Sequence, residues 1–184
     1  MKLARFILLS LILISASAVA ATQDAPDFWQ TPALSGVGHM HPLPKAAYQP
    51  NPAETYKIVF AVTKGGAKPD EVSPSLERVA RAVNLYASAG VPLDHLKFVA
   101  VLYGSATAAA LDNAHYKQKF GVGNPNLEII SKLRAAGFDV AVCGQAVAEN
   151  HFQFDWVASN VTLALSGITT ITILQHQGYA LVPL

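Results

Sequence analysis

The chain has 184 residues, a formal net charge of +1 and only 14% charged residues. No basic stripe or lysine–arginine cluster is therefore present to hold a nucleic-acid backbone. A single cysteine, Cys143, excludes an intramolecular disulfide framework, and the length is that of one domain.

At the N-terminus, Lys2 and Arg5 precede an apolar run from Phe6 to Ile14 broken only by Ser10, and Ala18-Val19-Ala20 offers an A-x-A cleavage site. The run is shorter than the roughly 20 residues needed to span a bilayer. This pattern predicts a signal peptide over 1–20, export to a bacterial periplasm, and no membrane attachment after cleavage. Without that segment the mean hydropathy of +0.31 falls to that of an ordinary soluble domain. Residues 21–54 form a proline-rich arm containing Pro26, Pro32, Pro42, Pro44, Pro50 and Pro52, with no sustained periodicity. Its Phe28, Trp29, Leu34, Met40 and Leu43 are too apolar for a solvated tail, so the arm is expected to lie across the domain or a neighbouring subunit.

The domain proper, 55–184, opens with the almost continuously apolar strand Tyr56–Thr63, followed by the flexible turn Lys64-Gly65-Gly66-Ala67. Ser73-Pro74 reads as N-cap and first helical position. Leu76, Val79, Ala80, Val83 and Ala87 then share a helical face that Gly90 ends. A second strand spans His95–Tyr103, and a short helical piece covers Thr107–Leu111. Asp112–Phe120 is amphipathic, and a further helix runs from Asn126 to Ala136. Gly137 to Gln145 reads as helix end, buried strand and helix start, with Cys143 where the strand stops. A short helix over Gly144–Glu149, an aromatic loop over Asn150–Ser159 and a strand over Val161–Leu165 follow. The isoleucines and threonines of Ile168–Gln177 favour a strand, but its place between a strand and Gly178 favours a helix. Tyr179–Pro183 is the last strand, at an edge because Pro183 cannot donate to a ladder. This alternation predicts a three-layer α/β sandwich: a five-stranded parallel, flavodoxin-like sheet with helices on both faces. In that order the first and third strands are neighbours.

In such sheets ligands and reactive groups collect beyond the carboxyl ends of the strands. Cys143 sits there, beside a helix N-terminus whose dipole favours a thiolate. A free cysteine is also often just a small buried hydrophobe. The same region collects Lys64, Gly65, Tyr103, Gly144 and Gln145. Lys64, if brought beside Cys143, would stabilise the thiolate, and Gly144 would open the following amides to an anionic sulfur. His39-Met40-His41 in the arm has the donor types of a copper site, but too few ligands unless His115, His151 or His176 joins it. Trp29, Trp156, Phe152 and Phe154 are candidate pocket or interface residues. No Walker loop, GxSxG, HExxH or CxxC is present, so classical hydrolase, kinase and disulfide-oxidoreductase chemistries lack support, and no cofactor is expected.

Tyr56–Phe60, Leu76–Leu85, Val91–Lys97, Val142-Cys143-Gly144-Gln145 and Leu165–Ile168 carry a resemblance. Together they make the chain from Tyr56 onward similar to the DsrE/DsrF-like sulfur-relay family, and more closely to its exported members. The resemblance implies assembly as a homotrimer or homohexamer. It also implies a cysteine at the end of the third strand, here Cys143, that holds a persulfide and passes sulfur between donor and acceptor proteins. The expected function is thus an exported sulfane-sulfur carrier, closer to a stoichiometric carrier than to a turnover enzyme. The competing expectation is a non-catalytic oligomeric binding protein with a structural cysteine, holding a small ligand or metal.

Overall fold

A computed structural model describes residues 27–184. The expected signal peptide and the first residues of the arm lie outside the described residues. Five parallel strands form one sheet: β1 (Tyr56–Val62), β2 (Leu96–Leu102), β3 (Asp139–Cys143), β4 (Thr162–Ala164) and β5 (Ala180–Pro183). The helices are α1 (Pro74–Ser88), α2 (Asn113–Phe120), α3 (Leu127–Ala135), α4 (Gly144–Glu149) and α5 (Gly167–His176). Tight 3-10 turns occupy 93–95, 104–110 and 154–156. The segment of mixed propensity is therefore helical. Its start is fixed by Ser166, whose hydroxyl accepts from the Thr169 amide at 3.0 Å.

The strand order is β4-β3-β2-β1-β5, so the expected adjacency of the first and third strands does not occur: β2 lies between them. Three successive crossovers step the same way across the sheet, and only α5 returns the chain to the outer side of β1. With right-handed connections, the forward steps put their helices on one face and the return step puts α5 on the other. Helices therefore cover both faces, as expected of the α/β sandwich.

The two faces differ in side-chain size. On the first, Ile58, Phe60 and Val62 join Phe98, Leu102, Val140 and Val142 in one core with Leu76, Val79 and Val83 of α1 and Ile130 and Leu133 of α3. Phe98 is at its centre, with ring centroids 5.3 Å from Phe60, 5.5 Å from Tyr86 and 5.6 Å from Phe138. Burying such rings contributes about 1.5–3 kcal/mol each. On the second face the register Val59↔Val99, Ala61↔Val101 and Val101↔Ala141 lines up small residues, and α5 packs across β1, β2 and β5. No helix among the described residues is long and apolar enough to cross a membrane.

Ser73 caps α1 as its sequence implies: its hydroxyl accepts from the Leu76 amide at 3.2 Å and donates to the Lys64 carbonyl. Ser73→Ala is expected to cost about 1 kcal/mol, read in thermal unfolding as a fall in Tm of roughly 2–4 °C.

The arm lies across α1 of its own domain. Asn84 is fully buried and bonds it at four points. Its Oδ1 accepts from the amides of Ala33 and Leu34, and its Nδ2 donates to the carbonyls of Val37 and Gly38. Gly38, at φ +62°, runs so close to the helix that a Cβ there would stand 2.3 Å from the Arg81 nitrogen, so only glycine fits. Glu77 Oε2 accepts from the Gly38 amide, and Arg81 Nε donates to the His39 carbonyl.

Candidate functional site

The odd-numbered positions of β3 face α5, which puts the side chain of Cys143 on the same side as Ala141 and under the first turn of that helix. The Cys143 Cβ is 3.7 Å from where a Cβ on Gly167 would stand, and the Tyr103 ring is 3.3 Å from the same point. Cys143 is 7% exposed, and its Sγ accepts from the Ala146 amide at 3.4 Å, so the thiol also caps α4. Two helix starts, α4 and α5, thus converge on the sulfur. Above it opens a cavity of about 650 Å³ lined by Tyr103, Gly104, Cys143, Gln145, Glu149 and Ser166, among others from the first turns of α4 and α5.

Tyr103 and Gln145 therefore stand with Cys143, as their positions at the strand ends imply, and Gln145 Nε2 donates to the Leu165 carbonyl at 3.2 Å. Gly144 is buried behind the thiol, where a Cβ would stand 2.8 Å from the Ala164 carbonyl oxygen, so its part is to let β4 approach. Gly65 belongs to a different cavity, over the ends of β1 and β2. Lys64 is exposed at the end of β1. With β2 intervening, strand spacing puts its backbone roughly 10 Å across the sheet from Cys143, and the adjacency that was to bring it to the thiol is absent.

The first turn of α5 is the part of the site that the sequence analysis missed. Ser166-Gly167 has the form of a helix start, but nothing local says that this start returns to the end of β3. Glu149 was missed too, and among the described residues it is the sole charged group lining the cavity. Its carboxylate opposes anionic reagents. Glu149→Gln is expected to raise the reaction rate of Cys143 with iodoacetate about threefold relative to iodoacetamide, an advantage that shrinks as salt screens it.

The His39-Met40-His41 stretch is not a converging ligand set. Gln30 and Met40 exchange both backbone hydrogen bonds, so this segment is extended and its neighbours alternate in direction. Met40 is 2% exposed in the core, while His39 is exposed. His41 is bonded through Nδ1 to the Phe28 carbonyl and stacked on the Phe28 ring at 3.9 Å. Among the described residues no three His, Cys, Asp or Glu side chains cluster as metal ligands would. His115 is held elsewhere, against Asp112 at 2.7 Å and stacked on Trp156. The Asp112 carboxyl is held below the usual carboxylate range, first by the His115 backbone amide.

The chain is thus a parallel α/β sandwich with strand order 4-3-2-1-5 and its single thiol beside the starts of α4 and α5. The chain belongs to the DsrE/DsrF-like family, whose profile matches residues 56–184. Solved structures that share its fold include the following two. MTH1491 from Methanobacterium thermoautotrophicum, described as a protein of unknown function, is 19% identical with a TM-score of 0.52, over 70% of this chain and 99% of that one. The ychN protein of E. coli is 16% identical with a TM-score of 0.53, over 71% of this chain and 100% of that one. No curated protein matches the chain.

Proposed function

We propose that the protein is an exported sulfane-sulfur carrier in which Cys143 holds sulfur as a persulfide. The observation that carries this reading is the position of Sγ: at the end of β3, between the starts of α4 and α5, beneath a cavity of about 650 Å³. Membership in the DsrE/DsrF-like family supports it, and the leader pattern at the N-terminus supports export to the periplasm.

The chemistry is a pair of exchanges. The Cys143 thiolate attacks the sulfane sulfur of a donor persulfide, a new S–S bond forms, and the donor leaves as its thiolate. An acceptor thiolate then attacks the outer sulfur and releases the Cys143 thiolate. No net oxidant or reductant is consumed, and a second cysteine in this chain is not needed.

Further copies of the chain are proposed as its standing partners, in a trimer or hexamer. Ile168 and Ile173 of α5 are 82% and 56% exposed, and Leu165 beside them is 73% exposed. Such an apolar patch beside the cavity suits subunit contact. Sulfur donor and acceptor proteins would then approach the remaining opening.

Intact mass after incubation with polysulfide tests the carrier. The expected result is a gain of about 32 Da per sulfur atom bound to the cysteine, absent in Cys143→Ala. Absence of the adduct from the native protein overturns it. One observation favours the alternative of a structural cysteine: Sγ is buried and already bonded to the Ala146 amide. A thiol that reacts only after unfolding would establish that reading.

A further inference from the structure

A second cavity, of about 400 Å³, lies over the carboxyl ends of β1 and β2. Its walls are the loop Gly65–Pro69, the turn after β2, one face of α2, and Phe152. Gly104 is common to its lining and to that of the Cys143 cavity. Its size is within the range of small-molecule sites, roughly 300–1,000 Å³.

The loop is pinned from several sides. The Gly65 amide donates to Ser105 Oγ at 3.1 Å, and that hydroxyl donates to the Thr63 carbonyl. The Tyr116 hydroxyl donates to the Pro69 carbonyl at 2.8 Å, and the Glu71 amide to the Lys68 carbonyl. A Cβ at Gly66 would stand 2.2 Å from the Glu71 carbonyl oxygen, so the turn closes only around glycine. Held this way, the consecutive amides of Gly66, Ala67 and Lys68 have no acceptor among the described residues. Unpaired amides at the edge of a cavity are donors available to an anion.

The charge agrees. Lys68 and Lys119 are the charged residues lining the cavity, and neither Asp70 nor Glu71 of the same loop does so. Lys68 has an exposed partner in Glu71 at 3.7 Å, a weak and screened contact. Lys119 has no carboxylate partner among the described residues, and its Nζ lies 5.8 Å from the centre of the Phe152 ring. The remaining wall is mixed: Ala108, Ala109, Phe120 and Phe152 give it an apolar part, and Ser105, Tyr116, Asn126 and Asn150 a neutral polar part.

We infer that this cavity is a binding site for a small anion carried on a compact apolar or planar body, such as an aromatic phosphate, sulfonate or carboxylate. The anionic head occupies the amides of Gly66–Lys68 beside Lys119, and the body lies against Ala108, Phe120 and Phe152. The site does not depend on Cys143 carrying sulfur.

The test is calorimetric titration of the full chain with phenyl phosphate, beside inorganic phosphate and phenol as the two halves of that probe. Phenyl phosphate is expected to bind saturably and more tightly than either half. Lys119→Gln removes one charge-assisted contact and should weaken it about tenfold. Ala108→Phe, which fills the cavity, should abolish binding. No saturable binding of phenyl phosphate overturns the site, as does equal affinity in the native protein and Lys119→Gln, an exposed change that leaves folding intact. Binding of either half as tightly as the whole overturns the assigned ligand class.

Discussion

Asn84→Ala is expected to destabilise the domain by about 3 kcal/mol and to free the arm from α1. Among the described residues Asn84 is the only side chain that bonds the arm at four points, and it does so fully buried. Truncation leaves two amides and two carbonyls without partners, each worth about 1–3 kcal/mol if it stays buried. Local opening limits the sum: once the cost exceeds what Leu34, Val37 and Met40 contribute by packing, the arm lifts and its polar groups find water. Two measurements separate these contributions. Urea unfolding gives the loss of stability, and hydrogen exchange at the Leu34 amide reports the lifting. Native-like protection at Leu34 in the variant would mean that apolar packing alone docks the arm.

Gly167→Leu is expected to slow alkylation of Cys143 by iodoacetamide about tenfold or more, a change of roughly 1.4 kcal/mol in the activation barrier. A side chain at this position grows from a point 3.7 Å from the Cys143 Cβ and 3.3 Å from the Tyr103 ring, into the space above the sulfur. Gly167 has no positive φ, so the helix start accepts a side chain without backbone strain. Gly167→Ala fills less of the space and should give an intermediate rate. Circular dichroism and the denaturation midpoint check that the sheet is intact. An unchanged rate in Gly167→Leu would show that reagents reach the sulfur by a route other than the cavity under α5, and it would remove the main geometric support for the carrier.

Much of the fold is legible along the chain because its signals are local. Ser73-Pro74 marks the start of α1, the glycine-bounded run before Cys143 marks a buried strand, and Pro183 marks an edge. The strand order is not local. A connection of given length serves whichever side of β1 the last strand joins, so nothing between Ser166 and Gly178 announces that α5 turns back. The misplacement of Lys64 has the same kind of origin: nothing between β2 and β3 announces that β3 joins β2 and not β1. The arm shows the same limit. Asn84, a polar residue beside Val83 in the buried stripe of α1, was the available sign that something polar docks there. Its partners lie 46 to 51 residues earlier in the chain. Likewise Met40 read as a metal donor because its type is visible in sequence and its burial is not.

The return of β5 to β1 also governs how the chain acquires its structure in time. β1 is the first strand made and sits inside the sheet, yet one of its edges is closed by Ala180–Pro183 at the far end of the sequence. Until those residues are available, that edge shows unpaired backbone groups able to template pairing with another chain. The ladder Ile58↔Ala180 closes a loop spanning almost the whole domain, so it adds to the mean sequence separation of contacts and slows the final step of folding. A nascent chain therefore stays without its complete sheet until Ala180–Pro183 emerge. Loss of Ala180–Pro183 would leave a sticky edge on an otherwise assembled sheet.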